Sequence, residues 1–462
     1  MNRRAFLRST GLGAIATGTH AGPLAPKPTH FPARAKRVIL LFMEGGPSQV
    51  DLIDYKPELI RFQGKPIPAS FIPKKTREGK GEPLKEFGAL KGPISVFRQR
   101  GQSGQWISDL MPHIAGHADD MCILNGMLAD STEHGTATQQ LHTGLPVLRR
   151  PSMGAWLLHG LGAANPNLPG FVIVSPPAGS TVNCGTDFLP DIYQSTILRD
   201  TQAEGGDAIQ YLVDDSLPRE LRRQQLDFLR SVNESHAYRT GHDPLQSSLI
   251  EANELAFRMQ TEAPEVLDYS TESDATRRLY GIGEGHTDAF GRQCLVARRL
   301  AEAGVRFIQV TSKEWDHHRK IDDVLPRKCR QVDQPIAGLL TDLKQRGLLE
   351  DTLLIWCGEF GRTPVSQGVG DAAKKGIAPG RGHNPFGWSL WMAGGGVKPG
   401  LRYGATDEFG YSSVMGRVHI HDLHATILHL LGMDHERHTY RHAGRDYRLT
   451  DLAGRVVEGI VS

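Results

Sequence analysis

Cysteine is scarce in this chain of 462 residues. The five present are Cys122, Cys184, Cys294, Cys329 and Cys357, an odd number with no C-x-x-C pair. That excludes a disulfide framework and a zinc ribbon. Cys294 and Cys357 lie in apolar segments and read as small core residues. Long hydrophobic runs are also missing. No stretch reaches the ~18 apolar residues of a membrane-spanning helix, so no transmembrane segment is expected. Charge bias is absent as well: 53 Lys and Arg stand against 51 Asp and Glu, for a net charge of +2, with no long basic run. Nucleic-acid binding therefore has no electrostatic basis. No internal repeat or long low-complexity segment interrupts the chain.

Glycine and proline, at 52 and 28 residues, are abundant. They imply many loops, the usual carriers of binding and catalytic groups on a rigid scaffold. The 20 histidines are more informative, because several stand beside Asp, Glu or Gly. The length allows one large α/β domain with insertions, or two domains.

The first residues read as an address. Arg3 and Arg4 are followed by Phe6, Leu7 and Arg8, then a mildly apolar Gly/Ala/Ile stretch and a Pro-rich spacer. This pattern resembles a twin-arginine export signal, which carries folded proteins across a membrane. It places the mature protein in the periplasm or outside the cell. Residues 1–35 are accordingly assigned to signal and spacer, and residues 36–462 to the folded domain.

Hydrophobic patterning predicts the elements of that domain. The run from Arg37 to Met43 is continuous and apolar, as expected of a strand covered on both faces of a parallel sheet. Short strands are predicted at Met121–Leu124 and Phe171–Val174, and a helix over 135–142. Residues 180–285 are mostly polar with helical patches at Arg219–Ser231 and Leu249–Gln260, and read as a partly helical insertion. Helix–Gly–strand units follow: a helix over Arg292–Ala303, then a strand over Val305–Val310; a helix over Pro335–Arg346, then a strand over Thr352–Cys357. A strand at Trp388–Ala393 and a helix at Asp422–Leu431 complete the series. Such alternation predicts a largely parallel central sheet with helices on both faces, a three-layer α/β sandwich.

Polar clusters fall at the ends of these strands. Glu44 opens a Gly-Gly-Pro-Ser loop that runs on to Asp51 and Asp54. Asp316, His317 and His318 follow the strand ending at Val310. Glu359 and Arg362 follow Cys357, and His383 lies just before the strand at Trp388. Ligands of open parallel sheets bind at the carboxyl edge, where such clusters converge. Mixed Asp, Glu and His ligation suits a divalent metal, with zinc, magnesium, calcium and manganese all admissible. Taken singly, Asp316-His-His318 also fits a surface loop, and Glu359 with Arg362 also fits a structural ion pair.

The segments GGPSQVDLIDYKP (45–57), EHGTATQQLHTG (133–144), EWDHH (314–318), GEFGRTP (358–364), GRGH (380–383), WMAGGGVKPG (391–400) and the stretch 422–451 resemble the domain-of-unknown-function 1501 family. The resemblance spans nearly all of the chain after residue 35. It implies a place in the alkaline phosphatase superfamily beside the sulfatases, with an alkaline phosphatase-like three-layer sandwich and one or two divalent metals beside a nucleophile. Carried over by position, it makes Glu44 a metal ligand after the first strand, with Asp51 a second candidate. It makes Asp316 and His318 ligands, with His317 as the adjacent alternative, and His383 the last ligand. Where members of the superfamily carry Asp-His, this chain has Glu359-Phe360, so Glu359 is the candidate metal ligand there and one histidine ligand is missing. Counting ten residues back from Gly144 to the nucleophile position gives His134, where relatives have Ser, Thr or a Cys-derived group. A histidine at a helix start can attack a phosphoryl group or bind a metal. The sulfatase cysteine signature is absent.

Two readings follow. One is a metal-dependent hydrolase of phosphate or sulfate esters, acting on a small-molecule or glycan ester, with His134 as the catalytic group and Arg362 holding the anion. The other is a non-catalytic member of the same fold that binds an envelope glycan or a protein.

Overall fold

The computed structural model describes residues 22–79, 84, 87–199, 209, 217–241, 244–367, 376 and 378–462. The paired arginines of the expected export signal lie outside the described residues.

The centre is a nine-stranded sheet. Eight strands follow one another in the order Arg402–Tyr403, Met121–Leu128, Trp388–Ala393, Thr352–Cys357, Arg37–Met43, Phe307–Ser312, Phe171–Val174 and Thr196–Leu198, and Val418–His419 also pairs with Met121–Leu128. Only Trp388–Ala393 runs against the rest. The central strands carry apolar side chains on both faces, and each residue from Val38 to Met43 and from Thr352 to Cys357 is buried. Period-two alternation is absent because helices cover both sides. Truncating one of these side chains, Leu354→Ala for instance, is expected to cost about 2–5 kcal/mol. The strands that present the site are thus held firmly.

Register places the strand ends level. Met43 pairs with Ser312, and Phe42 with Cys357. The loops after these residues therefore leave the sheet side by side. They bring Glu44, Asp316 and Glu359 to one edge, although more than 250 residues separate the first from the second.

A second, three-stranded antiparallel sheet stands against that edge, in the order Gly380–Asn384, Gly361–Gln367, Phe87–Leu90. Its two longer strands follow from segments expected to be loops. The residues Arg381 and His383, expected just before a strand, lie within one of their own. The cause is tertiary: Arg362 pairs with His383 across the ladder, and short Gly-rich strands of this kind leave almost no periodic trace in sequence.

The helices run longer than expected. The helix predicted from Pro335 starts at Ile321 and continues to Gln345, with Pro326 and Pro335 inside it. Proline is a helix-start signal, and here tertiary packing overrides it. Residues Arg219–Thr240 and Pro244–Leu267 form two long helices within the 180–285 stretch. The stretch from 22 to 35 packs on the body of the protein: Leu24 and Ala35 are buried, Lys27 N donates to Leu161 O, and Arg34 N and Ala35 N donate to Leu430 O. None of the helices, among the described residues, is long and apolar enough to cross a membrane.

Candidate metal centre

Four side chains converge at the carboxyl edge of the sheet: His134, Asp316, His318 and His383. Each offers one ligand atom, and those atoms lie within 4.8 Å of one another. They come from three places. His134 is the first residue of the helix His134–Thr143. Asp316 and His318 follow the strand Phe307–Ser312, and His383 projects from the small sheet.

The three imidazoles are held in the same way. His134 Nδ1 lies 2.5 Å from Glu359 Oε1, His383 Nδ1 lies 2.6 Å from the Thr132 carbonyl oxygen, and His318 Nδ1 is bonded to Gln367 Oε1. Every one of these partners is an acceptor, so each Nδ1 carries the hydrogen. Each neutral ring then keeps its lone pair on Nε2. Those Nε2 atoms lie 3.1, 2.9 and 3.3 Å from a single atom, Asp316 Oδ1, for His134, His318 and His383. The His134 Nε2 is buried and makes no well-aligned hydrogen bond there. Metal-binding histidines are oriented by this kind of contact from the far nitrogen to a carboxylate or carbonyl. Three imidazole nitrogens with one carboxylate form a donor set that suits zinc and its neighbours better than the oxygen cages preferred by calcium or magnesium.

Electrostatics fit the same picture. Burial would push the His134 imidazole down, but its contacts with the Asp316 and Glu359 carboxylates outweigh this and raise it to about 9. Burial would raise Asp316, but its close contacts with His134, His318 and His383 and the charge of Arg362 hold it far below the usual carboxylate range. Burial lowers His383 to about 4. Without a cation the cluster stabilises one proton on His134 between two carboxylates. A metal ion and that proton compete for the same place.

Glu359 is fully buried and accepts the Gly45 N–H at 3.1 Å as well as His134. Gly45 and Gly46 both have positive φ, at 115° and 73°. A Cβ on Gly45 would come 2.5 Å from Asp316 N. Only glycine permits this turn to pass so close beneath the Asp316 loop.

Five of the residues expected at the site stand elsewhere or do something else: Glu359, expected as a metal ligand, holds the His134 ring instead and is outside the ligand group. Asp51 is completely buried in a two-pronged ion pair with Arg381, at 2.8 and 3.0 Å, and also accepts from Ser48 Oγ and Ile94 N. It ties the first loop to the small sheet and is outside the ligand group. Glu44 turns to the Ala178 N–H at 2.7 Å, and its carboxyl is raised mainly by burial. His317 stands outside the ligand group that its neighbours Asp316 and His318 join and is buried, with burial and the nearby Arg362 lowering it to about 4. Arg362, expected to hold an anion, is buried and donates to the carbonyls of Gly45, Gly46 and Arg381 and to Asp316 Oδ1 at 2.6 Å. It is a positioning residue for the loop and for Asp316, and it pairs with Asp316 instead of Glu359.

Two residues of the site were not expected. Gln367 orients His318, and the Thr132 carbonyl orients His383. The first is one glutamine among many in sequence, and the second acts through its backbone, so neither leaves a pattern. The cysteines stay outside: all five are buried and free, and burial pushes every thiol up.

With this geometry in hand, comparison with known proteins places the chain. Residues 35–461 match the family described as protein of unknown function (DUF1501), and the chain belongs to that family. No curated protein matches its sequence. Among solved structures it is similar to the lipoteichoic acid synthase LtaP from Listeria monocytogenes, at 10% identity over 95% of this chain and 80% of that one, with a TM-score of 0.39. It is similar to the PsFucS1 sulfatase from Pseudoalteromonas sp., at 14% identity over 87% and 69%, with a TM-score of 0.36. It is also similar to the alkaline phosphatase from the Antarctic bacterium TAB5, at 10% identity over 86% and 98%, with a TM-score of 0.31. Likeness this low carries no argument about the site.

Proposed function

We propose that this member of the DUF1501 family is a metal-dependent hydrolase of phosphate or sulfate esters that works outside the cytoplasm. One observation carries the reading: three histidines anchored through Nδ1 aim Nε2 at one carboxylate oxygen on the open edge of a parallel sheet. In this reading His134, Asp316, His318 and His383 hold the ion, which when bound supplies a Lewis acid for an ester oxygen.

The protein's own groups divide the remaining work. Glu359 fixes the His134 ring from the buried side. Arg362 fixes Asp316 and the Gly45-Gly46 turn. Gln367 fixes His318. With Nδ1 committed to Glu359 and Nε2 to the cluster, His134 acts as a ligand, and the expectation of a histidine nucleophile is set aside. The attacking group then comes from solvent, consistent with a helix start that offers imidazole where relatives in the superfamily offer a hydroxyl or thiol. The export signal read at Arg3-Arg4 supports an extracytoplasmic setting.

A second reading, a binding protein that keeps the metal without turnover, draws on one feature: Arg362 already occupies the Asp316 oxygen at 2.6 Å. Turnover separates the two. The purified protein, supplied with zinc or manganese, is assayed against aryl phosphate, phosphodiester and sulfate esters. Metal-dependent release of product that is lost in Asp316→Ala supports the hydrolase; tight metal binding with no turnover on any ester favours the binding protein.

A further inference from the structure

A cavity of about 620 Å³ opens beside the metal cluster, and Asp316 and His318 form part of its wall. The opposite wall is the first turns of the helix Ile321–Gln345 together with the residues that lead into it. It presents Arg319, Arg327 and Lys328. Arg319 and Arg327 are exposed, and neither is paired with a carboxylate among the described residues. Lys328 is mostly buried and, among the described residues, has only the Glu314 carboxylate near it, at 3.9 Å, a contact too long for a hydrogen bond. Glu314 itself is highly exposed. Asp316, the other acid on the wall, is already matched by Arg362 and three histidines. Three cations therefore face one unmatched carboxylate.

We propose that this cavity is a substrate subsite for a second acidic group, so that the ester taken by the cluster carries a second negative charge. The inference rests on the hydrolase reading for its catalytic half alone. Its own content is recognition: a negative charge held by Arg327 and Lys328. A neutral ester would leave those cations without a partner. A doubly charged ester places one group at the metal ligands and the other on the helix. Arginine and lysine at the edge of such a site gain most when the partner excludes water from them.

Binding tests this without turnover. Digalacturonate, a dianionic disaccharide with no phosphate or sulfate ester, is titrated calorimetrically into the purified full chain, with neutral lactose as control. Metal content is measured on the same sample. We expect digalacturonate to bind and lactose not to bind. Arg327→Glu, at an exposed position that leaves the fold intact, and Lys328→Met should each weaken binding about tenfold or more. Binding that is absent in the parent, or unchanged in both variants, overturns the subsite, and a normal metal content then leaves the hydrolase reading standing. Binding that is present and lost in the variants, in protein without metal, supports the subsite while the hydrolase reading fails.

Discussion

His134 and Glu359 are joined by a 2.5 Å hydrogen bond from imidazole Nδ1 to a carboxylate oxygen that is fully buried. The two residues lie 225 positions apart and meet only because a helix start and a strand end share one edge of the sheet. The bond decides which nitrogen of His134 faces the cluster.

Glu359→Gln tests that role. The amide keeps the shape and one acceptor but removes the charge. Outer partners of metal-bound histidines typically contribute 10–100-fold to affinity. Competition with a chromophoric chelator should show zinc affinity falling by roughly that factor, with the fold retained. An unchanged affinity would mean that Glu359 only supports the Gly45 turn.

The proton on His134 gives a pH signature. Its folded-state value of about 9 lies above the ordinary 6.5 because the two carboxylates outweigh burial. The stabilisation of the metal-free protein by this group is therefore complete below about pH 6.5 and is lost as pH rises through about 9. Urea midpoints of metal-free protein should decline across that window, and the decline should shrink in His134→Gln. Metal binding at pH 7 should also release about one proton, read from calorimetry in buffers of different ionisation heat. No net release would contradict a protonated His134.

Asp51 and Arg381 predict a purely structural loss. Removing one partner of a buried pair leaves the other charge uncompensated, at about 3–5 kcal/mol. Asp51→Ala should lower the unfolding free energy by that amount in urea titration while the folded fraction keeps its metal. A loss below about 1 kcal/mol, the scale of an exposed pair, would show the pair to be less buried than described.

Export is tested on the intact chain. With Arg3 and Arg4 both replaced by lysine, fractionation should find the protein retained in the cytoplasm, whereas unchanged export would remove the twin-arginine reading.

The sheet was legible because its strands are continuous apolar runs and its helices end in glycine. Asp316, His318 and His383 were legible as chemistry at strand ends. Their common focus, the Asp316 oxygen, was not, because strand register and the small sheet bring it about, and neither writes a local pattern. Asp51 misled for the opposite reason. An acid in a Gly-Pro-Ser loop looks like a ligand, and only the position of Arg381, 330 residues away, shows it to be paired. His317 and His318 are indistinguishable in sequence. The positive φ of Glu314, at 69°, belongs to the tight loop that brings His318 into the ligand group and leaves His317 outside it.

The central claim is that His134, Asp316, His318 and His383 hold a metal ion. Elemental analysis of the full chain, purified without chelator or affinity metal and equilibrated with zinc, measures it directly. The account predicts close to one zinc per chain in the parent and loss of it in folded Asp316→Ala and His383→Ala. A parent that stays metal-free, or variants that retain the parent's metal, would contradict it.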